Sequence, residues 1–129
     1  LQLGDITGPG LFVAPSVDGL ITSFTVPGAV LFASRGFNRY PNADAILDDP
    51  NLQFGSRPGC TFGGRTDYED AKYKGRINTW ENCGGVGTLY LNIVALSKNG
   101  DHGVDLEVQL PQDSPADTTI GFEVVGALP

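Results

Sequence analysis

The sequence has few of the residues that build metal centres and redox sites. It contains no Met, one His, one Trp and two Cys among 129 residues. One His and two Cys at these spacings match no zinc pattern, since no second His is present. A redox pair needs the short Cys-x-x-Cys spacing, which is absent. The residues therefore predict no metal site and no cofactor.

Positive charge is also scarce. Lys and Arg total 8 against 15 Asp and Glu, so the net charge is −7 and the isoelectric point lies near 4.4. Nucleic-acid binding needs a concentrated basic surface, and an anionic membrane would repel such a chain. No apolar run reaches the roughly 18 residues that cross a bilayer. The sequence predicts no nucleic-acid partner and no membrane span.

Catalytic motifs are missing as well. No Gly-x-Ser-x-Gly is present, and a catalytic triad needs a positioned serine and an oxyanion hole beside the histidine, here His102. The pattern instead indicates an exposed turn residue at His102. Gly84–Thr88 is Gly-rich, but it precedes a strand-like segment and no Gly-Lys-Ser/Thr follows. We predict that the chain is not an enzyme.

What the chain does contain is typical of a small β-rich domain. Hydrophobic residues make up 40% of it, and 18 Gly and 9 Pro are scattered without period. This length predicts a single domain over 1–129, with 1–10 as a loose N-terminal segment. The first residue is Leu, which indicates either a removed signal peptide or an excised domain, and we favour a mature secreted or surface-anchored chain.

Strand signals dominate the pass along the chain. Gly87–Leu96 is almost continuously apolar, which predicts a strand covered on both faces. Val104–Leu110 alternates, which predicts one wet face carrying Asp105, Glu107 and Gln109. Residues 51–72 are expected to form a loop, and Asn99-Gly100 a hairpin turn. Further strands are predicted over Leu11–Ala14, Leu20–Val26, Ala29–Ala33, Tyr73–Trp80 and Phe122–Leu128.

Helix signals are few and short. Asn42–Asp49 predicts one to two helical turns, with Asn42 as the N-cap and Pro50 after its end. Ser114–Ile120 begins with a capping-box pattern and predicts a second short helix. The sum predicts an α+β fold, built on an antiparallel β-sheet with one or two short helices and one disulfide. An all-β sandwich is the alternative.

An ordered series of motifs runs through most of the chain. It comprises Val26-Pro27-Gly28, Ala45–Asp49, Cys60, Asp67–Asp70, Tyr73–Arg76, Trp80–Gly85, Asp117 and Phe122-x-Val124. The series resembles an extracellular module of actinobacterial-type surface proteins, often carried at the end of trypsin-like serine proteases and serine/threonine kinases. The resemblance implies that the two cysteines bond to each other. It implies no catalytic residues.

The cysteines are Cys60 and Cys83, with residues 61–82 between them. In a secreted chain a structural disulfide is the favoured interpretation. Closing this segment would stabilise the fold by about 3 kcal/mol through the entropy of the unfolded chain. Trp80 lies shortly before the second cysteine and is expected to pack on the bridge.

Loop aromatics and acidic residues form the candidate binding surface. The acidic stretch predicts a solvated loop neutralised by nearby Lys and Arg, with a Ca²⁺ site or a glycosidase carboxylate pair as alternatives. Loop aromatics are frequent in recognition patches. The surface comprises Phe37, Arg39, Tyr40, Asp67, Tyr68, Glu69 and Asp70.

Two functional hypotheses follow. The first is a non-enzymatic, disulfide-stabilised module that binds or senses a protein or cell-surface partner. The second is a structural subunit of an extracellular filament, tube or coat, in which apolar terminal segments pair with a neighbouring copy. Both place the protein outside the cell or at its surface.

Overall fold

Eight β-strands and two short helices make up the part of the chain that the computed structural model describes, residues 2–14, 23–52 and 54–112. In chain order they are β1 Gln2–Leu3, β2 Ile6–Thr7, β3 Gly10–Val13, β4 Gly28–Ser34, a 3-10 helix Arg35–Arg39, α1 Ala43–Leu47, β5 Thr61–Glu69, β6 Tyr73–Cys83, β7 Thr88–Ser97 and β8 Gly103–Leu110. None of these helices is long and apolar enough to cross a membrane.

One six-stranded antiparallel sheet organises the molecule, in the order β3-β4-β8-β7-β6-β5. Its register aligns Asp67, Arg76, Val94, Asp105 and Phe32 in a single row across β5, β6, β7, β8 and β4. Since side chains alternate between faces, this row and every second row beside it share one face. We call this the helical face, because α1 and the 3-10 helix pack on it.

The helical face carries the larger apolar core. The sheet contributes Phe32 and Val94, and the elements above it contribute the rest of the cluster: Ile6, Phe37, Ala43, Ile46, Leu47, Leu52 and Phe54. The opposite face carries a second cluster, formed by Tyr73, Ile77, Leu91, Ile93, Ala95, Val104 and Leu106. The sheet therefore buries apolar side chains on both faces.

The predicted helix at Asn42–Asp49 is confirmed as α1. The Asn42 side chain accepts a hydrogen bond from the backbone N–H of Ala45 at 2.9 Å, which caps the first turn. Ile46 and Leu47 are fully buried against the sheet. A helix this short is unstable alone, so these two contacts hold it.

The central strands also match their predictions. Ala29–Ala33, Tyr73–Trp80 and Gly87–Leu96 fall within or overlap β4, β6 and β7, and β7 is buried on both faces. The Asn99-Gly100 turn closes a hairpin, in which the Ser97 N–H donates to the His102 carbonyl at 2.9 Å. The described fold is thus mainly antiparallel β-sheet with one short α-helix.

The prediction of a loop over residues 51–72 was wrong for its second half. Thr61–Glu69 forms β5, the outermost strand of the sheet. Most of its side chains are exposed on both sides, so no apolar alternation marks it. Backbone hydrogen bonds to β6 hold β5 in the sheet, and such bonds do not depend on the pattern of side chains.

The predicted strand Leu20–Val26 is wrong in its described part, 23–26, which forms bends. Its backbone carbonyls accept from side chains of the sheet instead of a neighbouring strand. Thr88 Oγ1 donates to the carbonyl of Phe24 at 2.7 Å, and Gln109 Nε2 donates to those of Ser23 and Val26. Here the backbone carbonyls are satisfied by side-chain donors and not by the backbone hydrogen bonds of a paired strand.

Two further expectations are corrected. Residues 1–10 were expected to be loose, but β1 and β2 pair as a small hairpin and Ile6 is buried in the core. The polar side of β8 was expected to be wet, but Asp105 and Gln109 are each 1% exposed. The helix predicted over Ser114–Ile120 and the strand over Phe122–Leu128 lie outside the described residues.

The two cysteines lie at disulfide distance, with 2.06 Å between the Sγ atoms of Cys60 and Cys83. They join the start of β5 to the end of β6. Trp80 clusters with Cys83 and Tyr90, as predicted for its packing near the bridge. The Phe62 ring packs edge-on against Trp80, with 5.0 Å between the ring centres. Aromatic side chains therefore pack beside the disulfide.

Removing the bridge tests this arrangement. We expect the double variant Cys60→Ser/Cys83→Ser to lose about 3 kcal/mol of unfolding free energy, because the unfolded chain regains the freedom of residues 61–82. Urea unfolding of oxidised wild type against the variant measures it. Equal midpoints and slopes would show that the cysteines are not joined.

Gly75 in β6 lies where two strands of the sheet approach each other closely. A Cβ there would lie 2.0 Å from the Val94 carbonyl oxygen and 2.7 Å from the Ala95 Cα, both main-chain atoms. We expect Gly75→Ala to destabilise the fold by about 1–3 kcal/mol through overpacking. Gly55→Ala is the matched control, since its Cβ meets only the Leu47 oxygen at 3.8 Å. Chemical unfolding of both variants should separate them, and equal stabilities would contradict the close approach of β6 to β7 at this position.

Candidate binding groove

An open groove of about 490 Å³ lies where the start of α1 faces the adjoining ends of β5, β6 and β7. Pro41, Ala43 and Leu96 supply its apolar part. Its charged rim carries both signs and comprises Asp44, Asp67, Lys74, Arg76 and Lys98. The groove is large enough for several side chains of a partner, within the range of roughly 300–1,000 Å³ for ligand sites.

Ion pairs fix the wall that α1 contributes. Asp44 Oδ1 accepts from Arg65 Nη1 and from Arg76 Nε, both at 3.1 Å. Arg65 also reaches Asp48 at 2.9 Å and donates through Nε to Asn78 at 2.7 Å. Two arginines from adjacent strands thereby hold α1 in place. The wall of the groove is therefore formed without a loop that has to close over it.

The opposite rim is formed by the paired charges of the strand ends. Arg76 contacts Asp67, and Lys98 Nζ contacts Glu69 at 2.8 Å. The hydrogen bond from Lys98 is the main reason that the pKa of the Glu69 carboxyl lies below its ordinary value. Lys74 lies opposite Glu69 and contributes to lowering the pKa of that carboxyl, but it forms no salt bridge within the described residues.

Of the predicted binding surface, only Asp67 lines the groove. Phe37 is fully buried and packs edge-on against Phe32 at 5.7 Å, so its placement on a surface was wrong. Its ring belongs to the core because the 3-10 helix turns it toward the sheet. A residue in a short polar stretch offers no sequence signal for that rotation.

Arg39 and Tyr40 lie apart from the rest of the predicted surface. Arg39 pairs with Asp5 and lines a second open depression, of about 470 Å³, beside β2. The Tyr40 hydroxyl donates to Asp49 Oδ2 at 2.6 Å. Burial and then this hydrogen bond raise the pKa of the Tyr40 hydroxyl. Both residues tie the helical segment to its surroundings.

The acidic stretch does not converge on one point. Tyr68 lies on the opposite face from Asp67 and donates to Asp70 at 2.5 Å. Burial, followed by the effect of Asp70, raises the pKa of the Tyr68 hydroxyl. Asp70 Oδ1 accepts the backbone N–H groups of Lys72 and Tyr73 at 2.7 and 2.8 Å, which closes the β5–β6 turn.

These carboxylates therefore serve separate contacts. Asp67 faces Arg76, Glu69 faces Lys98, and Asp70 caps the turn. Within 2–14, 23–52 and 54–112, no three His, Cys, Asp or Glu side chains are placed to hold a metal ion together. The stretch contributes to the groove through Asp67 alone.

Sequence reasoning missed most of the groove. Lys74 and Arg76 belong to the Lys and Arg residues that were expected only to neutralise the acidic stretch, Leu96 was predicted only as a strand residue, and Lys98 had no predicted role in a site. They meet because β6 and β7 pair and because the Lys98 N–H donates to the Lys72 carbonyl at 2.8 Å. No spacing in the sequence encodes that meeting.

His102 is less exposed than its turn position predicted. Its ring lies 5.5 Å from that of Tyr73, and its Nε2 is 2.7 Å from the Tyr73 hydroxyl. Its Nδ1 lies 2.6 Å from Asp101 Oδ1. The histidine thus joins the β7–β8 turn to the start of β6, outside the groove.

Comparison with known proteins identifies a shared fold and no family. No family model and no curated protein matches the chain. The crystal structure of PA94 from Pseudomonas aeruginosa, a protein of unknown function described as a candidate regulator, is similar at a TM-score of 0.62 and 10% sequence identity. The match covers 95% of this chain and 83% of PA94. At this identity the likeness concerns the fold alone.

Proposed function

We propose that the protein is an extracellular, non-enzymatic binding module, and that the groove beside α1 binds an extended peptide segment of a protein partner. The observation that carries the proposal is the groove itself, an apolar floor with a rim of both charges on a pre-formed scaffold. Such a combination suits an extended peptide that carries both apolar and charged side chains.

The charge distribution supports this location. Four of the eight basic residues line the groove or bind the helix beside it: Arg65, Lys74, Arg76 and Lys98. Elsewhere the acidic excess of the chain repels other acidic surfaces at short range. An acidic or mixed-charge segment therefore meets its least unfavourable field at the groove.

The fold supports the proposed compartment. A cysteine pair at disulfide distance is compatible with an oxidising environment, where such bonds persist. The packing of α1 and the 3-10 helix against one face of the sheet favours the α+β class over the sandwich alternative. The proposed module is thus a sheet that presents a helix-walled groove to a secreted or surface partner.

A displayed library of random dodecapeptides tests the binding proposal. We expect peptides enriched on the wild type to lose at least about tenfold in affinity for Lys74→Glu, because reversing the charge at the rim turns attraction into repulsion. Lys72→Glu is the matched control, since it makes the same charge change two residues away and does not line the groove. Surface plasmon resonance gives the affinities.

Two results would count against the groove. Peptides that bind both charge-reversal variants equally would place the binding surface elsewhere. A library that yields no sequence-related peptides on correctly folded wild type would remove the reason to assign peptide binding. Circular dichroism and unfolding curves of both variants exclude a loss of fold as the cause.

The assembly hypothesis has one specific observation in its favour, the outer edge of β5. The Asp70 N–H bonds the Tyr73 carbonyl, so by alternation the backbone groups of Arg65, Asp67 and Glu69 point away from β6. No described strand pairs with that side. Free edges of this length template pairing with another chain, although the bulge near Gly64 shortens the usable stretch.

Edge pairing predicts a concentration-dependent mass. If copies join through β5, light scattering should show the mass of wild type and Asp67→Ala rising with concentration, and that of Asp67→Pro staying monomeric. Proline removes the outward N–H without breaking a bond to β6, whereas alanine keeps it. A wild type that stays monomeric at millimolar concentration would sink the assembly hypothesis.

A further inference from the structure

A cluster of polar side chains lies inside the molecule, away from the groove. It sits on the helical face between β7, β8 and the segment 54–57. Asp105 and Asn92 are 1% and 2% exposed, and Glu107 and Arg57 are half-buried. Burying a polar group without a hydrogen-bond partner costs free energy, so each of these side chains is expected to have a partner.

The side chains of the cluster lie next to one another. Asn92 Nδ2 donates to Asp105 Oδ1 at 2.6 Å, and Glu107 lies two residues further along β8, on the same face of the sheet as Asp105. The Tyr90 hydroxyl donates to Glu107 Oε1 at 2.5 Å. The Arg57 guanidinium stacks on the Tyr90 ring, with its central carbon 3.3 Å from the ring centre.

We propose that Asp105 and Glu107 form a proton-binding site, in which the two carboxyl groups hold a single proton between them beneath the segment 54–57. The site is separate from the groove and does not depend on the proposed function. It takes a proton as its ligand and changes the buried charge by one when that proton leaves.

The neighbours of Asp105 show why one proton belongs there. Its cross-strand partners, Phe32 on β4 and Val94 on β7, are apolar members of the core. The charged or titratable groups that face the pair are Glu107 on β8, Tyr90 on β7 and Arg57 above them. Within the described residues Asp105 has one side-chain hydrogen-bond donor, Asn92, and no salt bridge, so an ionised Asp105 would be a buried negative charge without a cation, which one proton cancels.

The electrostatics of the site agree with its geometry. Burial, and then the charge of Glu107, raise the pKa of Asp105 well above its ordinary value. The hydrogen bond from Asn92 opposes this without reversing it. Burial and then Glu107 also raise the pKa of the Tyr90 hydroxyl, which therefore stays a donor.

A small polar cavity adjoins Glu107 and Asn92. It has a volume of about 30 Å³ and is lined in part by Arg57, Trp80, Asn92 and Glu107. Arg57 Nε and Asn92 Oδ1 are buried there without a partner among the described residues. The cavity has room for one water molecule, which can accept from Arg57 Nε and donate to Asn92 Oδ1. An organic substrate does not fit.

The pH dependence of unfolding tests the site. Between the ordinary pKa of Asp105 and its raised value in the folded state, the folded chain holds one proton more than the unfolded chain. Stability therefore falls as pH rises, and the unfolding equilibrium constant of wild type should increase about tenfold per pH unit relative to Asp105→Asn. Glu81→Gln, an exposed acid on β6, is the control and should follow wild type.

Two measurements distinguish a shared proton from a general effect of charge on stability. Carbon-13 NMR of the carboxyl carbons of wild type should show Asp105 titrating at a clearly higher pH than the exposed carboxyl groups, a readout that needs no variant to fold. Glu107→Gln should move the Asp105 titration to lower pH, because the neighbouring negative charge is gone. An Asp105 that titrates together with the exposed carboxyl groups would overturn the proposal, and so would a titration unchanged by Glu107→Gln.

Discussion

The antiparallel pairing of β6, β7 and β8 is the constraint on which the rest of the structure depends. β7 lies between its two neighbours with both faces buried, so the apolar clusters on the two sides of the sheet share one strand. Backbone bonds satisfy the polar groups of that strand, which permits its burial. The groove and the buried polar cluster both take their positions from the register of these three strands.

The basic side chains of this acidic chain pair with carboxylates beside α1. Arg65 and Arg76 bind α1 through Asp44, and the same contacts place both signs of charge around the groove. These pairs are partly exposed, so each adds little stability by itself. Their value is geometric, because they hold a helix of five residues at one position over the sheet. Ile46 and Leu47 also hold the helix, because both side chains are buried in the apolar core.

Prediction succeeded where a pattern reports burial directly. The apolar run of β7 and the capped helix after Asn42 each carry their environment in their own residues. It failed at β5, whose exposed residues show no alternation of apolar and polar side chains. At β8 the alternation correctly predicted a strand, but Asp105 was predicted to be exposed and is buried. An alternation states which side chains share a face. It does not state whether a second layer, here the segment around Phe54, covers that face.

The sequence by itself determined that the chain is rich in β-strands, where the central strands and α1 lie, and that its net charge is acidic. With only two cysteines in the chain, it also favoured the pairing of Cys60 with Cys83. These depend on local pattern and on composition, which need no neighbours. Only the tertiary structure decided that Phe37 is buried, that Asp67 and Lys98 meet at one groove, and that Asp105 lies beside Glu107 under Arg57. Such juxtapositions join residues distant along the chain, and strand register and packing of the covering layer set them.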